Sequence, residues 1–110
     1  MNEQLVWNRA DEIATRRRVA HGALRQAARH EHAVEACLGE LGGYDAPTMG
    51  LVASVLRRVR RHADRAEGLA QMASRINRDP EFAPVLVEAL HRQRGLRARI
   101  EAWCDQNQSA

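Results

Sequence analysis

Apolar and polar positions alternate along the first forty residues with the period of packed helices. Val6, Ala10, Ile13, Arg17, Ala20, Leu24, Ala27, Glu31, Val34, Leu38 and Leu41 step by four and three, and only Arg17 and Glu31 among them are polar. No proline interrupts the stretch. Asn2 reads as an N-cap, and Leu41-Gly42-Gly43 reads as a stop, because glycine takes the left-handed C′ conformation without penalty. The pattern predicts one helix over 3–41, a rod of roughly 60 Å. Gly22 is its weak point, since a central glycine costs about 1 kcal/mol relative to alanine. A break there would turn three helices into four.

Residues 42–47 carry two glycines and a proline and read as a loop. A second helix is expected over 47–77, with Pro47 in its first turn and Asp45 or Thr48 as the cap. Its apolar positions are Val52, Val55, Leu56, Val59, Ala63, Ala66, Leu69, Ala70, Ala73 and Ile76. Asn77-Arg78-Asp79-Pro80 is a turn signal, with Asp79 as N-cap and Pro80 at the first helical position. A third helix follows over 80–105, tolerating Pro84 in its first turn. Phe82, Leu86, Ala89, Gln93, Leu96, Ile100 and Trp103 again step by four and three. The polar residues 106–110 are expected to fray.

The expected fold is therefore all-α. It is an up-down-up bundle of three long antiparallel helices in one domain over 1–110. Helix lengths differ, and the difference has a consequence. About ten residues of the first helix should overhang the turn between the second and third. Leu5, Val6 and Trp7 fall there, and an unpartnered apolar patch on a soluble chain marks an interaction site. The same layout sets Gly22, Gly68 and Gly95 at similar heights, where small residues would allow close helix approach. It also sets Cys37 and Cys104 near one end. Two isolated cysteines with no C-x-x-C read as reduced core residues, although a disulfide is geometrically conceivable.

Composition narrows the function classes. All seventeen basic residues are arginine, the net charge is +3, and fourteen acids are interspersed. That balance lacks the one-sided charge of a DNA-coating protein. No stretch approaches a membrane span and none resembles a secretion signal, so a cytoplasmic protein without membrane contact is expected.

The sharpest local feature is the run 57–65. On a helix, Arg57, Arg61 and Arg65 form one i,i+4 stripe with Arg58 beside it, a surface suited to phosphates or to an acidic partner. Arg18, Arg25 and Arg29 form a similar stripe on the first helix. Aromatic residues, which single-strand readers interleave with basic ones, are absent from these runs. Much of the charge is expected in i,i+4 ion pairs: Glu12–Arg16, Glu88–Arg92 and Arg97–Glu101. Glu31, on the apolar seam, needs a partner, and Arg17 or an arginine from another helix would serve.

Five histidines form no H-x-x-x-H pattern, and His62 reads as a surface residue. No nucleophile motif or glycine-rich phosphate loop is present, so no catalytic residue, metal or cofactor is expected. All-helical chorismate mutases also open on a very long helix, but their motif carries a lysine that this lysine-free chain lacks. The functional expectation is a non-enzymatic interaction module that binds a protein partner or a second copy through helix packing, as an adaptor, assembly factor or chaperone-like protein does. The alternative is an arginine-rich subunit associated with nucleic acid through Arg57, Arg58, Arg61 and Arg65.

Overall fold

The computed structural model describes the backbone of residues 2–43 and 48–108, and the side chains of 9–43 and 48–106. It contains three helices: α1 (Asn2–Gly42), α2 (Met49–Ile76) and α3 (Ala83–Gln108). Among the described residues there is no strand. The molecule is a rod of 69 × 16 × 16 Å. Its radius of gyration is 18.7 Å, against about 13 Å for a compact domain of this length. Helix α1 packs chiefly on α2, and α3 lies on α2 with lighter contact to α1.

The ends of the helices differ from expectation in specific ways. α1 runs unbroken through Gly22 and takes Asn2 as its first helical residue. It ends at Gly42 without a left-handed glycine; Gly43 N–H instead donates to the Glu40 carbonyl at 3.2 Å. α2 begins at Met49, later than Pro47. Thr48 is its cap, in extended conformation, with its hydroxyl accepting from the Leu51 N–H at 3.2 Å. Residues 44–47, with Asp45 and Pro47, lie outside the described residues.

Asp79 caps a turn rather than the helix proper. Its carboxylate accepts from Glu81 N–H at 3.0 Å, and i→i+3 bonds from Phe82 and Ala83 carry the chain into α3 at Ala83. Proline 84 therefore sits in the first turn of α3, where its missing N–H is harmless. At the far end α3 continues to Gln108, past the expected stop at 105.

The core falls into two parts. One end holds Val34, Cys37, Leu41, Val55, Val59, Ala63, Leu96, Ile100 and Cys104, with Leu38, Leu51, Leu56 and Trp103 packed against them. The other holds Ala20, Ala23, Ala73 and Leu86, flanked by Leu24, Leu69, Met72 and Phe82. Cys37 and Cys104 are buried free thiols in the first cluster. On α1 the heptad line Ala20, Ala27, Val34, Leu41 is fully covered. His30 on one flank of that line reaches α2, and Glu31 on the other reaches α3. The glycine waist is not built. A Cβ added at Gly22, Gly68 or Gly95 would meet nothing within 4 Å, so these residues bring no helices together.

Candidate interaction surfaces

Three places concentrate exposed or unusual chemistry: the lower end of α1, the arginine run of α2, and the seam where α1 and α2 meet at mid-height.

The lower end of α1 begins where the turn between α2 and α3 is tied to it. Arg16 Nη1 lies 3.5 Å from the Ile76 carbonyl, and Arg17 pairs with Asp79 at 3.2 Å. Arg17 is thus a clamp on the turn rather than the partner of Glu31. Residues 2–15 extend past that clamp, about 21 Å of helix at 1.5 Å per residue, which is longer than expected. The reason is that α2 is shorter than its sequence pattern suggests. Ala10 is exposed and Ile13 is 38% exposed, although both lie on the heptad line. Val19, just above, is 47% exposed. The side chains of Leu5, Val6 and Trp7, the expected patch, lie outside the described residues.

The arginine run is solvent-facing: Arg57, Arg58, Arg61 and Arg65 are all exposed. Arg58 pairs across to Glu40 of α1 at 3.1 Å. Among the described residues, Arg57, Arg61 and Arg65 meet no carboxylate. Asp64 and Glu67, acids neighbouring the run in sequence, point the other way, into the α2–α3 groove. There both bind Arg97, with Arg97–Asp64 at 2.7 Å. The hydrogen bond to Asp64 holds the Arg97 proton more firmly than usual; desolvation opposes it, and Glu67 adds to the hold. Arg97 is therefore taken from Glu101, its expected i,i+4 partner, by carboxylates of the facing helix. The other two expected pairs form, Glu12–Arg16 at 2.9 Å and Glu88–Arg92 at 3.6 Å. Arg99 crosses to Glu35 of α1 at 2.6 Å, so α3 is fastened to both of its neighbours by charge.

Two cross-helix contacts are absent from the sequence reading. Gln93 is 4% exposed and donates its side-chain amide to Glu31 Oε1. The carboxylate on the seam is thus answered by a neutral donor from α3, which needs no second buried charge. The other contact joins His30 of α1 to His62 of α2, with Nδ1 to Nδ1 at 2.8 Å and ring centroids 5.1 Å apart. One ring donates and the other accepts, so at least one is neutral. His62 is half-buried and not a free surface residue. Burial depresses its pKa below 6.5, and His30, Arg65, Arg61 and Arg58 push it further down. The sequence did hold a signal for this pair: in antiparallel α1 and α2 the two residues sit at nearly equal distances from the 43–48 connection. His32, two residues on, points elsewhere and is exposed.

The groove between α2 and α3 is lined by Arg60, Asp64, Arg97, Glu101, Cys104 and Asp105. Arg97 is engaged there by Asp64, and the Cys104 thiol accepts weakly from Arg60 Nη2 at 3.9 Å. Among the described residues, no three histidine, cysteine or acidic side chains gather as a metal site would require. None of the described helices is long and apolar enough to cross a membrane. Comparison with protein-family models, with curated proteins and with solved structures finds no match for this chain.

Proposed function

We propose that this protein is a non-enzymatic helical interaction module, an adaptor, assembly factor or chaperone-like protein that works by helix packing. One observation carries the reading: α1 continues past the Arg16–Arg17 clamp with its heptad positions Ala10 and Ile13 uncovered. A helix with an apolar seam gains stability by covering it. The simplest cover is the same stretch of a second copy, because a two-fold pairing buries both overhangs at once. A cytoplasmic setting belongs to this reading, since the two buried thiols stay reduced there.

Size-exclusion chromatography with light scattering tests it. The full chain should elute as a dimer or larger species. Deleting residues 1–8, or replacing Ile13 with glutamate, should return it to a monomer while leaving helicity in place. If neither change alters the oligomeric state or the recovery of a protein partner, the overhang is not the docking element.

A second reading is favoured by the exposed arginines Arg57, Arg61 and Arg65, which lack carboxylate partners among the described residues. It makes the chain a nucleic-acid-associated subunit tracking phosphates along α2. Binding to an oligonucleotide would then weaken steeply with salt, and each arginine removed would reduce the salt slope by about 1. Binding indifferent to salt would discard it.

A further inference from the structure

The His30–His62 pair lies beside three arginines of α2, two of which meet no carboxylate among the described residues. Arg58, Arg61 and Arg65 approach it from α2, within one turn of His62 on either side. Of these, Arg58 is engaged by Glu40 of α1. Arg61 and Arg65 are exposed and meet no carboxylate among the described residues. Four carboxylates near this level are committed elsewhere. Glu31 accepts from Gln93, Glu35 holds Arg99, and Asp64 and Glu67 hold Arg97. Helix α3 thus meets carboxylates of α1 and α2 through Gln93, Arg97 and Arg99.

We propose that His30, His62, Arg58, Arg61 and Arg65 form a site for a compact dianion of the phosphate or sulfate type, whose binding is coupled to protonation of the imidazole pair. The geometry suits a compact ligand. Arg58 and Arg65 are two turns apart on α2, about 10 Å along the axis, and the two imidazoles lie between them at the α1–α2 seam. Guanidinium groups offer paired N–H donors to tetrahedral oxyanions. The 2.8 Å contact means the rings share a proton when neutral. Two imidazoliums at that distance would repel each other and the arginines, so an anion bound beside the pair favours charging it. Anion and proton therefore favour each other, and by linkage each must raise the affinity for the other by the same factor. This site is independent of the overhanging end of α1.

Carbon-13 proton correlation spectra of the histidine rings of the full chain provide the test, with sulfate as the probe because it stays a dianion through the histidine range. Titrations are run in sulfate and in chloride at equal ionic strength. His30 and His62 should titrate higher in sulfate by at least about half a pH unit, a roughly threefold gain in proton affinity. Exposed His32 and His91 should move little. The double variant Arg61→Gln/Arg65→Gln, at two exposed positions, should fold normally and lose the sulfate-dependent shift. The proposal is overturned if His30 and His62 move no more than His32 and His91, or if the shift survives in the double variant. A short oligonucleotide separates this site from the nucleic-acid reading. Binding that leaves the two histidine midpoints unmoved would belong to the outer arginines and would count against the coupled site.

Discussion

Two stretches of α1 carry one pattern and meet different fates. From Ala20 to Leu41 the heptad residues are buried or half-buried against α2 and α3, and from Ala10 to Ile13 they are exposed. Both stretches form helix, so the pattern and the absence of proline are enough for local structure. Burial requires a facing surface, and α2 ends at Ile76, level with Arg16. The comparison shows that amphipathicity states a demand for a partner, and helix length decides whether the chain itself can meet it.

The largest effect should come from substituting the same residue on either side of that divide. Ile100 is 5% exposed in the core cluster. Ile100→Ala should cost about 2–5 kcal/mol, read as a lower denaturant midpoint. Ile13→Ala, in a stretch without intrachain cover, should change monomer stability by less than about 0.5 kcal/mol. Equal costs would mean that the lower end of α1 is packed after all. Next in size is the polar contact inside the covered half. Glu31→Ala strands the Gln93 amide and should cost about 1–3 kcal/mol, whereas Glu31→Leu with Gln93→Leu should be close to neutral. Chemical denaturation of both variants decides between a stabilising and a merely specifying role.

Smaller, and opposite in sign, are the glycines. Gly68→Ala and Gly95→Ala meet open space. Each should stabilise the monomer by up to about 1 kcal/mol, raising the melting temperature. A loss at either site would restore the close-approach idea. The smallest effect is the pH dependence of the α1–α2 seam. His62 titrates lower in the fold than its ordinary 6.5 because burial, then His30 and the arginines, oppose its charge. The unfolded chain then binds more protons, so stability should fall as pH drops from about 6.5 through the lower folded value. His62→Gln should flatten that slope in thermal melts taken across the histidine range.

Much of the fold was readable one helix at a time. The line Leu86, Ala89, Gln93, Leu96, Ile100 on α3 is buried as its spacing predicts, and every apolar position assigned to α2 is at least half-buried. Caps were less legible. Thr48 won over Asp45, and Asp79 closes a turn before α3, because a short polar side chain serves either role and only the local backbone selects one. The candidate sites divide the same way. The exposure of Arg57, Arg58, Arg61 and Arg65 followed from their place on the helix. That Arg57, Arg61 and Arg65 meet no carboxylate among the described residues did not, since Asp64 and Glu67 bind Arg97 from another helix.

The sequence by itself determined that the chain forms three amphipathic helices, roughly where they start and stop, and which stripe of each seeks cover. Those properties depend on residues three or four apart, so they are encoded locally. Tertiary structure alone decided the pairings: Glu31 with Gln93, His30 with His62, Arg97 with Asp64 and Glu67, and Arg17 with Asp79. Each depends on the relative height and rotation of two helices, and shifting one helix by a residue would exchange every partner.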